Sequence, residues 1–179
     1  MKLLILGGAA VGDALARALA APGIAATRDH DPAPDAVVIL VGTTPDPRPL
    51  ASMNEADWSA SFDVPLRQLR LHLQDAGSLL ADGGRVLLLA STGGMAGVAG
   101  DVAGCAVEEG ARALAKSVAP AWQPRGITLS FAAFAAGTLA APGGGIETVV
   151  APAVRLLLAA PPAFNGSTVI ADGGALLAP

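Results

Sequence analysis

Tyrosine is absent from all 179 residues, so no phenol is available to pass a proton to a substrate. Cysteine occurs once, as Cys105. That excludes an intramolecular disulfide and fits a reducing compartment, so a cytoplasmic location is expected. Histidine occurs twice, as His30 and His72, and no His/Cys/Asp cluster has metal-ligand spacing, so no metal is expected. Aromatics make up 3% of the chain and the net charge is −4 without a basic patch. Nucleic acid is therefore not an expected partner. Charged residues reach only 15% against 53% hydrophobic. Even so, no apolar run reaches the roughly 18 residues that a membrane span needs, so no membrane is expected. At the N-terminus one lysine and a short strand-like run precede glycines, a pattern not expected of a signal peptide.

What is present reads as alternating strands and helices. Leu3–Leu6 is a short apolar strand ending in Gly7-Gly8, and Asp13–Ala21 reads as a helix closed by Pro22-Gly23. Ala36–Val41, Arg85–Ala90, Ile127–Ala133 and Thr168–Ala171 read as strands. Asn54 suits the N-cap of a short helix carrying Trp58 and Phe62, and Pro65 suits the start of another. Leu66, Leu69, Leu73, Ala76 and Leu80 then recur at steps of three and four, the mark of a helix with one buried face. Asp101–Ala121 reads as a long helix capped by Asp101, with Glu108, Arg112 and Lys116 as a solvated ion-pair ladder. Ile146–Ala160 is the last helix. This order predicts one α/β domain over residues 1–179: a doubly wound, mainly parallel sheet of about six strands, with helices on both faces. Ile24–Thr27 is a weak strand candidate. Too few residues separate it from Ala36 for a parallel crossover, so it is not expected to be an ordinary parallel strand, and no full helix is expected in between.

Several segments, in order, resemble one enzyme family. They are Leu4 to Gly12 with its glycine-rich turn, Leu50 through Trp58, Phe62 and Val64, and Gly84–Ser91 ending in a hydroxyl. Cys105–Ala115 continuing to Pro124-Arg125-Gly126-Ile127, and Asn165–Gly174, complete the set. Together they resemble the short-chain dehydrogenase/reductase family, over nearly the whole length. The resemblance implies a Rossmann-like fold, NAD or NADP as cofactor, and oxidoreductase chemistry by a serine, an asparagine and a Tyr-x-x-x-Lys pair. It also implies cofactor contacts at Gly7, Gly8 and Gly12, at Asp29 or Asp31 after the second strand, and at Thr43. Arg28 would be the residue to meet a 2′-phosphate.

The chain departs from that pattern at the reacting positions. Aligning Arg112–Ala115 with the family helix puts the tyrosine position at Gly100 and the lysine position at Gly104, while the asparagine position falls on Pro65. Ser91, or its neighbour Thr92, keeps the serine place, but a hydroxyl without a base only forms hydrogen bonds. The turn carries Ala10 at the middle glycine position and Asp13 just beyond. A methyl and a carboxylate there oppose a pyrophosphate. The helix and strand that wall the adenine pocket are read as deleted, Thr43-Thr44 replace two amides, and the segment before Ile146 is short for a substrate lid. A Ser91–Asp101–Asp63 cluster is a conceivable polar site, and Cys105 reads as a packed thiol.

The expectation is therefore a non-catalytic binding or assembly protein, a pseudoenzyme with weak or lost nicotinamide-cofactor binding. The alternatives are an NAD(P)-dependent short-chain oxidoreductase with non-standard site residues, or a dehydratase or isomerase reusing the cleft. The implied partner is a second copy, in a homodimer or homotetramer joined through the helices near 65–81 and 101–121, with Leu71, His72, Val102 and Val107 off the sheet-facing side. Another protein or a small molecule is the remaining partner class.

Overall fold

A computed structural model describes residues 1–29, 33–42 and 48–177. The elements are β1 (Lys2–Leu6), α1 (Ala9–Leu19), β2 (Ala25–Thr27), β3 (Ala36–Leu40), α2 (Glu55–Trp58), α3 (Val64–Leu79), β4 (Arg85–Ser91), α4 (Gly93–Ala96), α5 (Val102–Trp122), β5 (Thr128–Phe134), α6 (Ala151–Ala159) and β6 (Thr168–Ala171). The six strands form one sheet in the order β2-β1-β3-β4-β5-β6. Every pairing is parallel.

Strands buried on both faces carry continuous apolar runs, and β3 is buried at all five positions. Alternate side chains feed two cores. Leu4, Leu6, Val37, Ile39, Val86, Leu88 and Phe131 pack against Leu69, Leu73, Val107 and Ala111 of α3 and α5. Leu3, Ile5, Val38, Leu40, Leu87 and Leu89 pack against Leu15 and Leu19 of α1 and Val154 and Leu158 of α6. The doubly wound expectation therefore holds. No helix among the described residues is long and apolar enough to cross a membrane.

The expectation for Ile24–Thr27 is corrected. Ala25–Thr27 is an edge strand parallel to β1, on the opposite side from β3. The register explains how so short a connection suffices. Thr27 lies level with Leu4, and Ala36 lies level with Leu3. The chain retreats by about one residue, roughly 3.3 Å, and crosses two strand spacings, roughly 10 Å. A long crossover is required only when a full strand length must be retraced. No helix occurs among the described residues of that stretch.

The start of α1 also differs from expectation. Helix α1 begins at Ala9, not Asp13, because Gly7 (φ 76°) and Gly8 (φ 47°) turn the chain within two residues. Asp13 consequently lies in the second turn. Pro65 lies in the first turn of α3, as expected, although α2, a π-helical turn at Ser59–Asp63 and α3 run on without a break. Proline lacks an N–H and its ring crowds the carbonyl four residues back, and the wide π turn accommodates both. The same device recurs at Ile146–Val150, ahead of Pro152 in α6. At the start of α2 the Asn54 cap is as expected, completed into a capping box by Asp57, and Trp58 stacks on Phe62 at 4.9 Å.

Candidate functional site

The carboxyl ends of β1, β3, β4 and β5 all point to one edge of the sheet. The chain leaves β1 towards β2 on one side and returns to β3 on the other, so a crevice opens between the ends of β1 and β3. A cleft of about 250 Å³ lies there, lined by Gly8–Val11 at the start of α1, Leu40–Gly42 and Leu139–Ala140. A second cavity of about 140 Å³ adjoins it and shares Leu139 and Ala140. Ser91, Gly93, Asp101, Gly104 and Glu108 line this second space. The segment before Ile146, expected to be short for a lid, itself lies over both spaces, with Leu139 buried.

Glu108 organises the second cavity. The residue is only 8% exposed, which corrects the expectation of a solvated ion-pair ladder. Gly94 donates its N–H to Oε2 at 2.6 Å and Ser91 donates its N–H to Oε1 at 3.3 Å. The Ser91 hydroxyl also bonds to the carboxylate. Burial pushes the Glu108 carboxyl above its ordinary pKa; these three bonds pull it down, and the nearby Asp101 charge adds to the rise. The backbone must come very close for this. A Cβ on Gly94 would lie 2.8 Å from the Cβ of Glu108, so only glycine lets the turn sit on α5. Arg112, released from the ladder, pairs instead with Glu109.

The hydroxyl of Ser91 is engaged on both sides. It accepts the Gly93 N–H at 2.8 Å and bonds to Glu108. Asp101 caps α5, as expected, by accepting the Gly104 N–H at 3.0 Å. Of the conceivable Ser91–Asp101–Asp63 cluster, the structure brings together Ser91 and Asp101 but not Asp63, which lies on the outer groove between α3 and α5. Glu108 takes the place in the cluster. Cys105 packs between Gly93 and Val98, its Sγ 3.4 Å from the Gly93 carbonyl and from the Val98 N–H.

At the glycine-rich turn, Gly7, Gly8 and Gly12 are brought together. The first turn of α1 has no side-chain cap and faces the 250 Å³ cleft. Asp13 does not face that opening. It forms an ion pair with Arg28, at 3.2 Å. Asp29 is exposed just past β2, its N–H donating to the Thr27 hydroxyl. Thr43, Thr44, His30 and Asp31 lie outside the described residues. His72 is half-buried on α3. Among the described residues, no group of three or more His, Cys, Asp or Glu side chains could hold a metal ion.

Two larger apolar hollows, about 520 and 450 Å³, run along the outer groove between α3 and α5. They lie away from the strand ends. Leu71 and Val102 are exposed, as expected of side chains off the sheet-facing side, whereas Val107 is buried in the core.

Comparison with known proteins agrees with this architecture. Residues 11–143 match the family model described as enoyl-(acyl carrier protein) reductase. No curated protein matches the chain. Among solved structures, the fold is similar to a small-chain dehydrogenase (TM-score 0.79, 18% identity, 98% of each chain covered). It is also similar to acetoin dehydrogenase from Enterobacter cloacae (TM-score 0.79, 20% identity, 100% of this chain and 96% of that one). A small-chain dehydrogenase in complex with NADPH is a third (TM-score 0.77, 17% identity, 99% of each chain). With an all-parallel six-stranded sheet, a glycine-rich turn at its switch point and a family match over residues 11–143, this chain belongs to the short-chain dehydrogenase/reductase family.

Proposed function

We propose that this protein works by binding, not by carbonyl reduction, and holds nicotinamide dinucleotides weakly or not at all. The observation that carries the reading is the state of Ser91. Its hydroxyl is tied to Gly93 and Glu108, and the face of α5 beside it carries Gly104, which has no side chain to offer. With no tyrosine in the chain, a carbonyl placed there meets no phenol and no cation to tune one, and the one acid beside it, Glu108, is already held by the N–H groups of Ser91 and Gly94. The turn also fits a dinucleotide poorly. A Cβ on Gly12 would fall on the guanidinium of Arg28, so that space is already filled. A second copy of the chain is the partner proposed, seated on the outer groove of α3 and α5, whose apolar hollows exceed both clefts.

One observation favours the alternative of an NAD(P)-dependent oxidoreductase. The first-turn N–H groups of α1 are uncapped and face the crevice, where a phosphate would be welcome. Titration with NADH and NADPH, read by thermal shift, decides between the two. A ligand that binds only the folded state raises its stability by RT ln(1 + [L]/Kd). We expect no shift at micromolar cofactor and background turnover across an aldehyde and ketone panel. A clear rise in Tm, with turnover, would replace the binding reading by the oxidoreductase.

A further inference from the structure

We propose that Arg28 is an internal occupant of the glycine-rich turn, a latch that closes it to dinucleotides until the side chain swings out. This rests on the reading that nicotinamide cofactors are held weakly, and it finds a cause in the chain's own residues. Arg28 directly follows β2, yet its side chain folds back onto the turn. Nη1 donates to the Gly7 carbonyl at 2.9 Å, and Nε lies 3.2 Å from Asp13 Oδ1. A Cβ on Gly12 would fall on Nη1 and lie 2.9 Å from Cζ. The missing side chain of Gly12 is thus the socket for the guanidinium. The carbonyl and the carboxylate satisfy two edges of its planar fork.

A dinucleotide needs the same ground. In such turns the last glycine keeps helix and strand close, and the adenosine ribose is taken at the end of the second strand. Arg28 bridges these two points. The hold is modest, because the Arg28 and Asp13 side chains are 31% and 54% exposed, and exposed ion pairs are weak. The latch therefore lowers the population of open turn, and with it the apparent affinity, without blocking the turn outright.

Calorimetric titration of NADH and NADPH into the wild type, Arg28→Ala and Asp13→Ala tests the proposal. Arg28→Ala should bind both cofactors about tenfold more tightly than the wild type, and Asp13→Ala should show a smaller gain in the same direction. Equal gains for the two cofactors mark a latch, since the 2′-phosphate then plays no part. Weaker NADPH binding alone in Arg28→Ala would make Arg28 a phosphate receptor and overturn the latch. Unchanged, weak binding in all three proteins would also overturn it, while leaving the weak-cofactor reading in place. Tight binding by the wild type would sink that reading instead, and the ratio between variant and wild type would still judge the latch.

Discussion

Replacing Glu108 by alanine removes the acceptor for two backbone N–H groups, those of Ser91 and Gly94, and for the Ser91 hydroxyl. Each buried donor left without a partner costs about 1–3 kcal/mol. Water entering from the adjoining 140 Å³ cavity offsets part of that. The net loss expected is about 2–3 kcal/mol, which for a chain of this size lowers Tm by about 5–10 °C. Glu108→Gln keeps the volume but turns an amide NH₂ towards one of the two N–H donors, and should cost about 1–2 kcal/mol. The pH dependence separates the charge from the shape. Because the folded carboxyl titrates above its unfolded value, the folded state binds more protons between the two values. Its stabilising contribution is fully present below the unfolded value and is lost as pH rises through the folded one. The stability advantage of the wild type over Glu108→Gln should therefore shrink as pH climbs above the ordinary glutamate range. Urea unfolding across pH 4 to 8, with hydrogen exchange at the Gly94 amide, measures both effects. An alanine variant as stable as the wild type, or an advantage that grows with pH, would refute the account of Glu108 as a buried clamp.

Asn165 accepts the Leu129 N–H at 2.9 Å and donates to the Ala119 carbonyl at 3.2 Å, joining β5 to α5. Asn165→Ala should cost about 1–3 kcal/mol in urea unfolding, since Leu129 is fully buried and its N–H would lose its partner; a cost below 0.5 kcal/mol would mean water replaces it easily. Light scattering should give twice the 17.6 kDa chain mass at micromolar concentration. Ala113 is exposed on the outer groove, so Ala113→Glu should yield a folded monomer, and a dimer that survives it lies on another face.

The strands were legible because a sheet covered on both sides demands unbroken apolar runs. Val37–Leu40 and Val86–Ala90 meet that demand with no polar interruption. The offset that lets β2 and β3 flank β1 with so short a link was not legible, because register belongs to the pairing and not to any one segment. Asp13 was misplaced for a related reason. The helix start depends on how Gly7 and Gly8 turn, and Arg28 reaches it from outside the local window.

Glu108 is the instructive miss, because the sequence does hold its signal. Glu108, Arg112 and Lys116 look like one ladder at four-residue steps, but each such step rotates about 40° around a helix. Over two steps the face turns by about 80°, which carries the series from buried Glu108 through half-buried Arg112 to exposed Lys116. Reckoned from its other neighbours, Glu108 stands four residues after Gly104, three before Ala111 and seven before Ala115, all of them buried. A carboxylate on such a stripe must find donors, because burying a charge without partners is prohibitive. The backbone N–H groups of Ser91 and Gly94 supply them, and Gly93-Gly94 is the segment after β4 whose missing side chains let it approach that closely. The same arrangement that satisfies the carboxylate sets the Ser91 hydroxyl beside it, where it accepts the Gly93 N–H. One glutamate on the wrong side of a helix thus connects the packing of α5 to the proposed loss of serine chemistry. Removing that glutamate would release the loop that carries Ser91 along with its neighbour carboxylate.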